Sequence, residues 1–138
     1  MQTFAHRLKN WPSRFAALQQ MAQHEPFAWG THDCCLWAAD SVLACTGVDP
    51  AQAWRGTYHD EAGGMALLES LGGLHAVAAL GGPPIDPRCA TVGDVGILWI
   101  GAEVLAVCGG GCWLLCGPRG IEYTELPARM AWGVGSHA

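Results

Sequence analysis

A chain of 138 residues is long enough for one domain with one sizeable core, and 1–138 reads as a single domain. Its net charge is −5, and its seven Lys and Arg are scattered with no basic stripe to follow a phosphate backbone, which argues against nucleic-acid binding. Hydrophobic residues make up 51% and charged residues only 14%, well below the roughly 25% usual in globular chains, so part of the apolar surface is expected to face a partner. No apolar run reaches the roughly 18 residues of a membrane span. The start, MQTFAHRLKNW, lacks the apolar core of a signal peptide, so the expectation is a soluble protein made in the cytoplasm.

Residues 1–25 read as a helical segment. Pro12 suits a first turn, where its missing N–H is not needed. Phe15, Leu18 and Met21 recur at spacings of three, which predicts one buried face, and the helix should end near His24, before Pro26. Residues 27–82 form a second helical part. Asp33 is the expected N-cap of a helix from 34 to about 45, and Gly47 its stop. That helix is apolar on nearly every face apart from Asp40 and Ser41, the pattern of a helix in the middle of a core. Two shorter helices fit 61–71 and 74–80, separated by Gly72-Gly73 and followed by the breaker Gly81-Gly82-Pro83-Pro84.

From 88 to 135 the chain reads as strands. Short apolar runs at 94–100, 104–108, 112–116, 120–124 and 131–134 are punctuated by Gly and Pro, which predicts an antiparallel meander with tight turns. Helices first and strands second give the α+β class: a helical N-terminal half packed on a small C-terminal antiparallel sheet.

Chemistry concentrates in FAWGTHDCCLWAAD. A sulfur at the head of a helix meets N–H groups and the positive end of the helix dipole, which favours thiolate over thiol. Cys34 is therefore a candidate nucleophile, with Trp29 shaping a pocket wall and Gly30 allowing close backbone approach. The competing reading makes Cys34 and Cys35 core residues of a buried helix. Seven cysteines should stay reduced in a cytosol, and Cys45, Cys89, Cys108, Cys112 and Cys116 read mainly as small apolar filler.

The ordered motifs FAWGTHDCC, AADSVLACTGVDP, WRGTY, VGDVGIL, GPRGI and AWGV, from about 27 to 134, resemble a family of uncharacterised proteins encoded by tailed phages and prophages in or near the tail genes. That family more distantly resembles the NlpC-type cell-wall peptidases, papain-like cysteine hydrolases that cut peptides in peptidoglycan. The shared features are an Asp-Cys at a helix start, matching Asp33 and Cys34, and a Gly-Asp opening a small sheet, matching Gly93 and Asp94. The resemblance implies a papain-like, NlpC-like fold and a catalytic His on the strand near Val104, Leu105 or Ala106, where none can take a proton. The orienting residue would fall at 112–115, which has no Asn, Gln, His or Asp. Loss of general acid–base catalysis alone costs roughly 10²–10⁴ in rate. His32, two residues before Cys34, is the first candidate for a relocated base. His59 and His75 follow, and His6, His24 and His137 lie near termini or helix ends.

Cys108, Cys112 and Cys116 form a C-x3-C-x3-C array. With Cys34, Cys35 or Cys89 it could make a zinc or iron–sulfur site, provided the glycine turn brings Cys108 beside the other two. Trp54, Arg55 and Tyr58 read either as an aromatic and arginine-bearing contact surface or as a loop closing over the core. The resulting expectation is a structural or adaptor subunit of a phage tail tip, carried in the virion after synthesis in the host cytoplasm. Its partners would be other tail proteins, and it would need no cofactor. One alternative is a peptidoglycan-degrading peptidase using Cys34 and His32. The other is a zinc- or iron–sulfur-binding tail component.

Overall fold

The computed structural model describes residues 3–135, so His137 lies outside the described residues. Helix α1 spans Trp11–Ala22 with Pro12 in its first turn. Phe15 and Ala22 are buried, but Met21 is 80% exposed. The expected stripe therefore stops short. Steps of three residues drift backwards around a helix of 3.6 residues per turn, whereas the step of seven from Phe15 to Ala22 keeps one face.

Helix α2, Cys34–Thr46, runs through the core as its composition predicts, with ten buried residues including Trp37 at 0% exposure. Asp33 caps its start and Gly47, at φ +79°, ends it. Its C-terminal carbonyls would otherwise be orphaned in the interior. Arg14 of α1 donates to Ala44 O (2.7 Å) and Leu43 O (3.1 Å), and the Gly47 N–H also reaches Leu43 O. Helix α3, Glu61–Leu71, is capped by Asp60 and stopped by Gly72. Helix α4, Leu74–Ala78, continues into a 3-10 turn at Ala79–Gly81.

Six strands form one antiparallel sheet: β1 Pro84–Ile85, β2 Val95–Trp99, β3 Glu103–Cys108, β4 Trp113–Gly117, β5 Gly120–Thr124 and β6 Met130–Trp132. The architecture is α+β. The spatial order is β1-β6-β2-β3-β4-β5, so β2 to β5 are the expected meander but β6 returns to the far side of β2. The supposed breaker at Pro84 is a short strand paired to β6, with Pro84 opposite Trp132. Proline is tolerated there because β1 is an edge.

Strand alternation sorts the core into two faces. Val95, Ile97, Leu105, Val107, Leu114 and Trp132 join the main cluster with α2. Leu98, Ala106, Cys108, Trp113 and Ala131 form a smaller cluster on the other face. Trp113 lies flat against Gly96, where a Cβ would sit 2.6 Å from the ring. No single helix among the described residues is long and apolar enough to cross a membrane.

One buried carboxylate ties both ends of the described chain to the sheet. Asp94, 1% exposed, accepts from the Arg7 guanidinium (2.9 Å), the Val134 N–H (2.9 Å) and the Thr91 N–H (2.9 Å). Arg7 also donates to Val134 O (2.9 Å) and Val92 O (2.7 Å). Removing one member of such a pair strands the other's charge away from water. Asp94→Ala should therefore destabilise the protein by about 3–5 kcal/mol, read from the urea unfolding midpoint.

Candidate functional site

The turn before α2 is built around Asp33. Ala28 and His32 exchange backbone hydrogen bonds (2.9 Å each), closing a tight loop. Gly30 sits at its tip with φ +85°, and a Cβ there would be 1.9 Å from the Tyr58 carbonyl oxygen, so only glycine fits. Asp33 Oδ1 accepts from the Leu36 N–H (3.0 Å), while Oδ2 accepts from the Gly30 N–H (3.0 Å) and the Tyr58 hydroxyl. The carboxylate thus holds three donors, all of them from the turn, the helix head and Tyr58, and none is a histidine. Burial, then the bond to Asp33, raises the Tyr58 phenol well above its ordinary value, so it remains a donor. Tyr58→Phe removes one bond to a buried carboxylate and should cost roughly 1.5–3 kcal/mol, measured by chemical denaturation.

Asp33 aims the head of α2 at a split in the sheet. Strands β3 and β4 pair only at Val107–Leu114 and Cys108–Trp113. In the same register Leu105 would face Cys116, but the strands have parted there. Antiparallel alternation says which way the backbone groups of β3 point. Cys108 N–H bonds to Asp94 O on the β2 side, and Gly109 N–H to Cys112 O on the β4 side. Counting back by twos, the N–H and C=O of Leu105 and Glu103 point away from β2, into the split. Cys34 meets the Leu105 N–H at that point.

A cavity of about 1,040 Å³ opens from Cys34, Cys35 and Cys116. Phe27, Trp29, Trp54 and Tyr58 wall one side. Leu67, Leu68 and Leu71 of α3 wall another with Leu74 and Val77 of α4, and Leu105 and Leu115 line the sheet side. Its polar fringe is acidic, with Glu69, Glu103 and Glu122.

The Cys34 thiol is more acidic than usual. The Cys35 thiol donates to its sulfur, burial opposes this, and the Leu105 N–H and the helix-start N–H of Cys34 itself add to the lowering. Cys35 is pushed strongly upward by the same bond and by burial, so it stays protonated as the donor. Cys116 is raised by burial and then by the charges of Cys34 and Asp33.

No histidine among the described residues lines this cavity. His32 is 2% exposed and turned the other way, with Nδ1 3.8 Å from the Glu25 carboxylate and its ring edge-on to Trp37. Its Nε2 is buried without a hydrogen-bond partner. His75 pairs with Glu103 (2.9 Å) on the surface, and His6, His24 and His59 are exposed.

The remaining candidates separate. Trp54 and Tyr58 are buried walls of the cavity rather than an outer contact surface. Arg55 is held by Asp49 (2.7 Å) and Asp40 (2.6 Å). Burial raises Asp40 despite that bond. In Asp49 the same burial is outweighed by Arg55 and the Ala51 N–H, so its carboxyl is lowered. Cys108 packs on one face of the sheet while Cys112 and Cys116 pack on the other, so the glycine turn does not bring the three together. Among the described residues no three His, Cys, Asp or Glu side chains converge as metal ligands. Cys89 is exposed on a 3-10 turn and is not core filler. The wall formed by α3 and the acidic fringe were not singled out from the sequence. Their trace there is an apolar helix, Glu61–Leu71, of which the structure buries only Gly64 and leaves Met65 exposed.

Iodoacetamide should label Cys34 at lower pH than an ordinary thiol requires. Because Cys35 supplies the largest lowering, Cys35→Ala should move the midpoint of the Cys34 alkylation rate to higher pH, followed by peptide mass spectrometry.

No curated protein and no solved structure matches the chain. A family model does, over residues 6–134, and the chain belongs to that family, which is described as a domain of unknown function, DUF6950.

Proposed function

We propose that the protein is a structural or adaptor subunit of a phage or prophage tail, built on a papain-like, NlpC-type scaffold that has lost its proton-transfer machinery. The observation that carries this reading is what faces Cys34. The sulfur stands at a helix head in an open cavity, as a cysteine nucleophile would, yet β3 meets it with the Leu105 backbone and an aliphatic side chain. Acylation needs a base within hydrogen-bond reach and a group to orient it. Among the described residues no histidine lines the cavity: His32 is turned toward Glu25, and Asp33 is engaged by three donors at the helix head. The low charge of the chain and its exposed Met21, Met65, Trp99, Tyr123 and Leu126 support a life among other subunits, in the virion after synthesis in the host cytoplasm.

A specific observation favours the enzyme as second reading. The Cys34 thiol is acid-shifted, which is what a nucleophile requires. Purified protein on isolated cell-wall sacculi decides between them, with Cys34→Ala beside it. Neither protein should release soluble peptide fragments above the buffer control. Release that depends on Cys34 would overturn the structural reading. Mass spectrometry of purified particles of the encoding phage should also detect the chain among the tail proteins, and its absence from the particles would count against the assignment.

A further inference from the structure

The cavity beside Cys34 has three properties that together define an occupant. Its walls are aliphatic and aromatic, and its volume of about 1,040 Å³ is just above the roughly 300–1,000 Å³ of ligand pockets. Its fringe carries Glu69, Glu103 and Glu122, while no Lys or Arg lines it. One wall is an open strand edge, where the backbone of Glu103 and the carbonyl of Leu105 face the split with no strand paired to them, the Leu105 N–H being turned to Cys34. Unpaired donors and acceptors along a strand edge are a template for a further strand. A fatty acyl chain would suit the walls, but its carboxylate would meet three others and it could not answer the strand edge. A polar wall peptide would answer the edge and leave the apolar walls unfilled. An extended apolar peptide with cationic ends meets all three conditions.

We infer that this cavity takes an extended, apolar segment of a partner protein, flanked by lysine or arginine, laid against β3 beside Cys34. Strand addition supplies the backbone bonds, the α3–α4 wall takes alternate side chains, and the acidic fringe selects the flanks. The inference rests on the reading of the chain as a non-hydrolytic subunit only in that the segment is held uncut.

The test uses the full chain and a capped, fluorescein-labelled octapeptide with a Leu/Phe/Val core and two lysines at each end. Fluorescence anisotropy reads binding, and iodoacetamide labelling reads access to Cys34. The lysine-flanked peptide should bind, slow Cys34 labelling and bind more weakly as salt rises. A double variant, Glu69→Lys with Glu122→Lys, changes two exposed side chains and should weaken binding by about tenfold or more. Alternate backbone N-methylation of the peptide should abolish binding. The inference is overturned if a glutamate-flanked peptide binds equally well. It is equally overturned if the N-methylated peptide binds unchanged, if dodecanoate or dodecylammonium protects Cys34 where the peptide does not, or if no peptide binds. A peptide that binds and is then cut in a Cys34-dependent way leaves the occupant standing and removes the non-hydrolytic reading. One that neither binds nor is cut does the reverse.

Discussion

Helix α2 is buried on every side, and most of the molecule is arranged to make that possible. A helix in the interior leaves unpaired N–H groups at its head and unpaired carbonyls at its tail, and each is costly away from water. The neighbouring elements answer these needs from a distance. Asp33 takes the head and is itself fixed by Gly30 and Tyr58, while Arg14 reaches the tail carbonyls from α1. The few polar side chains on the helix body are also tied. Ser41 donates to Gly93 O (2.9 Å), Thr46 to Val42 O (2.7 Å), and Asp40 accepts from Arg55. Trp37 spans the core to bond the Leu114 carbonyl (3.1 Å). These bonds fix the helix in rotation and in height, and the position of Cys34 follows from them.

The same economy separates the two acidic residues that a cysteine-hydrolase pattern would single out. Asp33 and Asp94 are both nearly inaccessible, and both accept at least three hydrogen bonds. Asp94 binds Arg7 and the Val134 N–H, so the two ends of the described chain meet at the first turn of the sheet. Asp33 does for the helix what Asp94 does for the sheet. Their hydrogen bonds make both of them pins that fix the helix head and the start of the sheet.

What could be read from the sequence was what is local. Asp33, Gly47 and Gly72 announce helix ends because capping and left-handed turns are decided within a few residues. The strand positions and the α+β class follow from runs and breakers of the same short range. What was missed is non-local. Pro84 reads as a breaker until β6 arrives from more than forty residues away to make it an edge strand. Arg55 reads as a contact residue until Asp40 and Asp49 fold onto it. The parting of β3 and β4 has no motif at all, since Val104, Leu105, Leu115 and Cys116 look like any paired strand residues. The cavity was hidden for a related reason: the apolar side chains of α3 read as core whether they meet other side chains or an empty groove.

The character of that groove bears on what a histidine base on β3 would require. Restoring one would take more than a histidine at Leu105, which is 0% exposed. An imidazole there would need its second nitrogen satisfied, and the inward positions of the neighbouring strand are Leu114 and Cys116. It would also place a polar group in a wall whose other members are aliphatic, with the desolvation cost that follows. Apolar residues at both sites are mutually consistent in a way that one polar substitution is not. The thiol then rests in a site that tempers its charge in two opposed ways. Burial disfavours the thiolate, while the Cys35 thiol, the Leu105 N–H and the helix head favour it. A sulfur in that balance can be reactive toward a small alkylating agent, whereas peptide cleavage would further need a base within hydrogen-bond reach. Reactivity and catalysis make different demands: the first needs only an acidic thiol, while the second needs a proton-transfer partner beside it as well.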